Sequence, residues 1–129
     1  MISTIVVMGL IMLSIVLGIS FFSFFQSQNT FNARSLLAAK LAAESGLADG
    51  TLRVIFNKNC PDTNCVSPYQ LSIGSATTTI SLCKDACDGI GKTRVTSVGI
   101  FGQSIFELQA ILDVNSVTGE VQIISKNEP

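Results

Sequence analysis

No ionisable side chain occurs before Arg34, and all 17 charges of this 129-residue chain fall between Arg34 and Glu128. That asymmetry divides the chain into two materials. Residues 1–25 hold 18 apolar side chains, five hydroxyl residues (Ser3, Thr4, Ser14, Ser20, Ser23) and two glycines (Gly9, Gly18), with no proline. At 1.5 Å per residue a helix over this stretch is roughly 37 Å long, enough to cross a hydrocarbon core of about 30 Å. A cleavable secretory signal fits less well. Such signals carry a basic n-region and a small-residue cleavage site, whereas no Lys or Arg precedes this run and it closes on Phe21-Phe22-Ser23-Phe24-Phe25. The missing basic flank leads to the expectation that a short basic leader is removed before Met1, which leaves the apolar helix as the mature N-terminus.

From residue 26 to about residue 56 there is again no proline, and Ala, Leu, Lys, Glu and Arg predominate, so the helix is expected to run on. A continuous helix from Ile2 to Phe56 is roughly 80 Å long, and its apolar half is expected to protrude from any globular head. Lys40 with Glu44, and Asp49 with Arg53, are spaced i, i+4 for ion pairing. With Arg34 at 0°, Leu36, Ala43, Leu47 and Val54 lie on an arc near 200°, and Leu37, Leu41, Ala48 and Ile55 on a second arc near 320°. A head needs one stripe, so the second arc implies packing against other copies of the chain or another helix. One broad stripe with a buried ion pair is the alternative. Gly46 and Gly50 cost the helix about 1 kcal/mol each, and close backbone approach is one reason to keep them. Ser14 and Gly18 form a small-xxx-small pair of the kind that lets apolar helices approach closely.

Beyond residue 56 the period changes from 3.6 to 2. Strands are expected at 69–73, 76–82, 93–101, 104–114 and 120–125. Phe106, Leu108, Ala110, Leu112 and Val114 alternate with their neighbours and should face the core and cover the helix. The breaks at Gly74-Ser75, Phe101-Gly102-Gln103 and residues 115–119 are short enough for hairpins, which makes the sheet an antiparallel meander. The chain thus reads as an apolar helix segment (1–25), its amphipathic continuation (26–56) and a β-sheet head (57–129).

Four cysteines beyond an apolar segment read as two disulfides outside the cytoplasm. A zinc site has neither histidine nor a CxxC knuckle to build on. Three connectivities are open. A hairpin about Gly74-Ser75 favours the nested pairs Cys65 with Cys83 and Cys60 with Cys87, which would lie across its mouth. Catalytic groups are scarce. Asp62, Asp85 and Asp88 lie in polar cysteine-flanked loops and read as solvated, and Gly89-Ile90-Gly91-Lys92-Thr93 lacks the first glycine of a phosphate loop and reads as a turn. No cofactor is expected, and a net charge of −1 leaves no electrostatic footprint for nucleic acid.

The segment Leu41-Ala42-Ala43-Glu44-Ser45-Gly46-Leu47-Ala48-Asp49-Gly50 resembles the helix signature of PilX-like pilins, including those of candidate-phyla bacteria. Thr96-Ser97-Val98-Gly99-Ile100-Phe101-Gly102, with Phe106 and Ala110, resembles their late strand pair. The chain as a whole is similar to bacterial type IV pilins and pseudopilins. The resemblance implies an α+β fold, one long N-terminal helix on an antiparallel head of about five strands. It also implies a function without catalysis: a prepilin peptidase removes the leader, the chain waits in the inner membrane, and assembly machinery polymerises it into a helical homo-oligomer exposed at the cell surface. The expected filament-core contacts are Ile2, Ile5, Val6, Leu10, Leu13, Ser14, Leu17, Gly18, Phe21 and Phe25. Many pilins carry Glu at the fifth mature position. Here it is Ile5, a departure shared with several minor pilins and one pseudopilin class. The other readings are a minor pilin or secretion pseudopilin, and a single-pass anchored binding domain that does not polymerise.

Overall fold

The computed structural model describes residues 2–61, 65–115 and 117–128, and the side chains from residue 6 onward. One helix, α1 (Ile2–Phe56), is followed by five strands: β1 (Tyr69–Ile73), β2 (Ala76–Lys84), β3 (Lys92–Phe101), β4 (Ser104–Val114) and β5 (Val121–Asn127). The chain forms two compact units, residues 1–34 and residues 35–129. From Ile2 onward the first is helix alone. The second holds the rest of α1 and the whole sheet. Helical propensity without a proline explains why one element runs from Ile2 to Phe56, and Arg53 in the last turn complements the helix dipole.

In the second unit the strands pair only with their sequence neighbours, all antiparallel, in the order β1-β2-β3-β4-β5. Two tight hairpins set the register. Ile73 pairs with Ala76 around Gly74-Ser75, and Phe101 with Ser104 around Gly102-Gln103. Gly74 and Gly102 take φ of 62° and 60°, the left-handed region that a two-residue hairpin requires and that glycine enters without strain. The alternation expected for β4 holds: Leu108, Ala110, Leu112 and Val114 are buried and Phe106 packs against them.

Ser35, Ala39, Ala42, Ala43, Gly46, Leu47, Gly50 and Val54 form the stripe of α1 that meets the sheet. They recur at helical spacing and most are small, which brings the helix backbone close to β2 and β3. A Cβ on Gly50 would sit 2.6 Å from a Val95 methyl, and one on Gly46 2.5 Å from the Ser97 hydroxyl. The sheet reciprocates at Gly99, where a Cβ would lie 2.6 Å from the Ala43 backbone nitrogen and closer still to the Ala39 carbonyl. Ile80, Val95, Leu108 and Leu112 fill the layer between, each contributing about 1.5–3 kcal/mol by leaving water.

Two expectations about α1 need correction. Leu36 is half-exposed, because the buried stripe is centred on the small residues, roughly 50° from the arc drawn through the larger ones. Lys40 reaches Glu128 at 3.0 Å and lies over the Phe106 ring instead of pairing with Glu44. The Asp49–Arg53 pair forms as expected, at 2.9 Å.

The disulfides are local, Cys60–Cys65 and Cys83–Cys87, and the nested pairs Cys65 with Cys83 and Cys60 with Cys87 are not made. The hairpin register behind that expectation is correct, since Tyr69 pairs with Ile80 and Ile73 with Ala76. Its error lies in the faces. Cys60 and Cys65 are buried in the core beside Leu82, whereas the period of two turns Cys83 to the opposite face of the sheet. Each pair is also close along the chain, five residues apart for Cys60 and Cys65 and four for Cys83 and Cys87. Cys60 N donates to Asn57 O, and after Lys84 the chain bends at Asp85 in a left-handed conformation, leaving Cys83 and Cys87 with Cα atoms 6.1 Å apart.

Candidate functional site

The first unit offers one kind of surface. Val6, Leu10, Leu13, Leu17, Phe21 and Phe25 are all more than half exposed, and the Phe21 and Phe25 rings lie tilted by 40° with centroids 6.0 Å apart. Three hydroxyls on this part of the helix bond back to its own backbone. Ser14 donates to the Ile11 carbonyl, Ser20 to that of Val16 and Thr30 to that of Gln26, so these polar side chains are satisfied within the helix. A Cβ on Gly18 would meet nothing within 4 Å, so no neighbour inside the chain requires a glycine there. Met1 lies outside the described residues, as do the side chains of Ile2 and Ile5. The helix is long and apolar enough to cross a membrane, as an anchor or a signal sequence is. The two disulfides point to an extracytoplasmic head.

In the second unit the other face of α1 carries the second arc. Leu37, Leu41 and Ile55 are 57%, 53% and 44% exposed, and Ala48 is exposed with them. Leu52, also half-exposed, extends the arc. Two faces are therefore real, one beneath the sheet and one uncovered.

The flank of the buried stripe toward β1 carries a polar lock. Tyr69 donates its hydroxyl to Asp49 at 2.6 Å, Arg53 pairs with the same carboxylate, and the guanidinium lies 3.9 Å from the Tyr69 ring centroid. Burial first, and then the Asp49 carboxylate, push the phenol well above its ordinary range. The loop carboxylates have structural partners. Asp88 receives a two-pronged bond from Arg94, which holds it below the usual carboxylate range, and Asp85 accepts from the Gly91 backbone at 2.7 Å. Of residues 89–93, read as a turn, Gly89, Ile90 and Gly91 lead into β3, with Lys92 N donating to Gly89 O, while Lys92 and Thr93 already belong to the strand. Asp62 lies outside the described residues. Among the described residues no three His, Cys, Asp or Glu side chains converge as a metal site would require.

Two features escaped the sequence reading. Gly99 at the helix contact was legible as a glycine on the inward face of a strand, a position that marks close backbone approach. The exposure of Ile123 on the inner face of β5 had no sequence signal, because it depends on how much of the sheet one helix can cover. No family model, no curated protein and no solved structure matches this chain.

Proposed function

We propose that the chain is a structural subunit of a type IV pilus-like filament, polymerising through its N-terminal helix and displaying the disulfide-bonded head at the cell surface. One observation carries the reading: the uncovered arc of Leu37, Leu41, Ala48 and Ile55 on the part of α1 that already packs beneath the sheet. A bilayer accounts for exposed apolar residues in the first 25 positions, but not for a second apolar face on the head's own helix. Neighbouring helices account for both. In this reading Ile2, Ile5, Val6, Leu10, Leu13, Leu17, Phe21 and Phe25 pack against copies of themselves, with Ser14 and Gly18 at the closest approach. The partners before assembly are the inner membrane, a prepilin peptidase and the assembly machinery.

The second reading is a minor-subunit or pseudopilin position within the same kind of assembly: no carboxylate occurs before Glu44 to meet a neighbour's terminal amine. Mass spectrometry of filaments sheared from intact cells without detergent tests both. A chain that dominates the sheared fraction, lighter than its reduced form by the hydrogens of two disulfides, is the main subunit, and a trace component is a minor one. Exclusive retention in the membrane overturns the filament reading in favour of a non-polymerising anchored domain.

A further inference from the structure

A single helix does not cover this sheet. Five strands span roughly 19 Å at their usual spacing, while a helix with its side chains is about 10 Å across. Here α1 sits off centre. Gly46, Gly50, Ala39 and Ala43 meet β2 and β3, and Asp49 and Arg53 reach Tyr69 on β1. The far side of the sheet is left overhanging. Ile123 pairs with buried Leu112 and so lies on the helix-facing side of β5, yet it is 63% exposed. Between this overhang and α1 runs a groove of about 430 Å³, lined by Leu47, Ala48, Leu52 and Ile123 with Glu44 and Lys126.

We propose that this groove receives the uncharged helix of a second copy of the chain, which would lie beside α1 in the same layer beneath the sheet. Three observations select that occupant. The space left between α1 and the edge of the sheet suits a second helix at the usual interaxial distance of 8–10 Å. The groove walls are mostly apolar, and their two ionisable residues, Glu44 and Lys126, have opposite charge, so the occupant needs no charge of its own. Residues 6–33 of this chain are helical, apolar over most of their length and free of ionisable groups. The groove also shares Ala48 and Leu52 with the uncovered face of α1, so one incoming helix would cover both. The proposal rests on the filament reading and deepens it, because it makes the edge of the β-sheet part of the assembly contact.

The test places a photoactivatable benzoylphenylalanine at Ile123 in the full-length chain, irradiates assembled filaments and maps the adduct by mass spectrometry. The expected product is a covalent dimer of this chain with the adduct within residues 6–33 of the second copy. The same probe at Thr79, on the opposite face of the sheet, yields no such adduct. Ile123→Asp, at an exposed position, leaves melting of the head unchanged and reduces filament yield. If filaments form but the Ile123 probe captures lipid, another protein, a neighbouring head or nothing, the groove proposal is overturned while the filament reading stands. If no filament contains the wild-type chain, the filament reading falls and takes this contact with it.

Discussion

The hydroxyl of Tyr69 lies 2.6 Å from the carboxylate of Asp49, a bond that ties the first strand of the sheet to the helix beneath it. Tyr69 is the only tyrosine and the chain has no tryptophan, so tyrosinate absorbance reports this site alone. Titration of the folded chain in detergent should show ionisation well above the ordinary phenol value of about 10, and Asp49→Asn should move it down. The sign for stability follows from linkage. A pKa raised on folding contributes stability that is fully present below the unfolded value and is lost as pH climbs from there toward the folded one. Tyr69→Phe should lose about 1 kcal/mol at neutral pH, since Arg53 still partners the carboxylate, and should lack that alkaline decline.

Gly99→Ala should be the most damaging single methyl in the head. The added carbon would collide with the helix backbone at Ala39 and Ala43, which cannot swing aside as a side chain can. A loss of about 3 kcal/mol or more is expected, read as a lowered melting temperature. Gly18→Ala, with open space around it, should leave melting unchanged or slightly raised.

The two disulfides should respond differently to a mild reductant. Cys60 and Cys65 are buried in the core, whereas Cys87 is exposed. Mass mapping after brief dithiothreitol treatment and alkylation should find Cys83 and Cys87 labelled first, with Cys60 and Cys65 labelled only as the head unfolds. Replacing Cys60 and Cys65 together by alanine should cost about 2 kcal/mol from the closed loop alone, and more from lost packing.

Leu41→Asp and Gly18→Trp separate assembly from folding. Leu41 is 53% exposed and Gly18 faces open space, so neither change disturbs the packing of the head. Both should abolish filaments in sheared fractions while circular dichroism melting and disulfide content stay as in the unaltered chain. Normal filament yield from both would defeat the assembly model.

Much of this architecture was legible because it is local. Alternation along residues 104–114 told which of Leu108 and Gln109 faces inward, and the glycines at 74 and 102 marked turns whose chemistry permits few alternatives. The disulfide pairing was not legible from hairpin arithmetic, because that arithmetic gives opposition along the strands but ignores which face Cys83 occupies. The arc read on the helix is buried at Ala43, Leu47 and Val54, and Gly46 and Gly50 do meet the sheet at close approach, but the stripe extends to Ser35, Ala39 and Ala42, small residues that the arc left out. That is why Leu36 turned out exposed. The uncovered arc at Leu37, Leu41, Ala48 and Ile55 was visible in the angular pattern, whereas its extension onto β5 required the sheet itself.

The strictly sequential order of the strands also bears on how quickly the head forms. Every ladder joins segments adjacent along the chain, so each pairing closes a short loop and the entropy lost at each step is small. The meander can zip hairpin by hairpin as residues 69–127 emerge, and the single distant step is its return onto α1. A head with this connectivity should mature rapidly while its N-terminal helix is held elsewhere, which limits the time that the edges of β1 and β5 stand open to other unfinished chains.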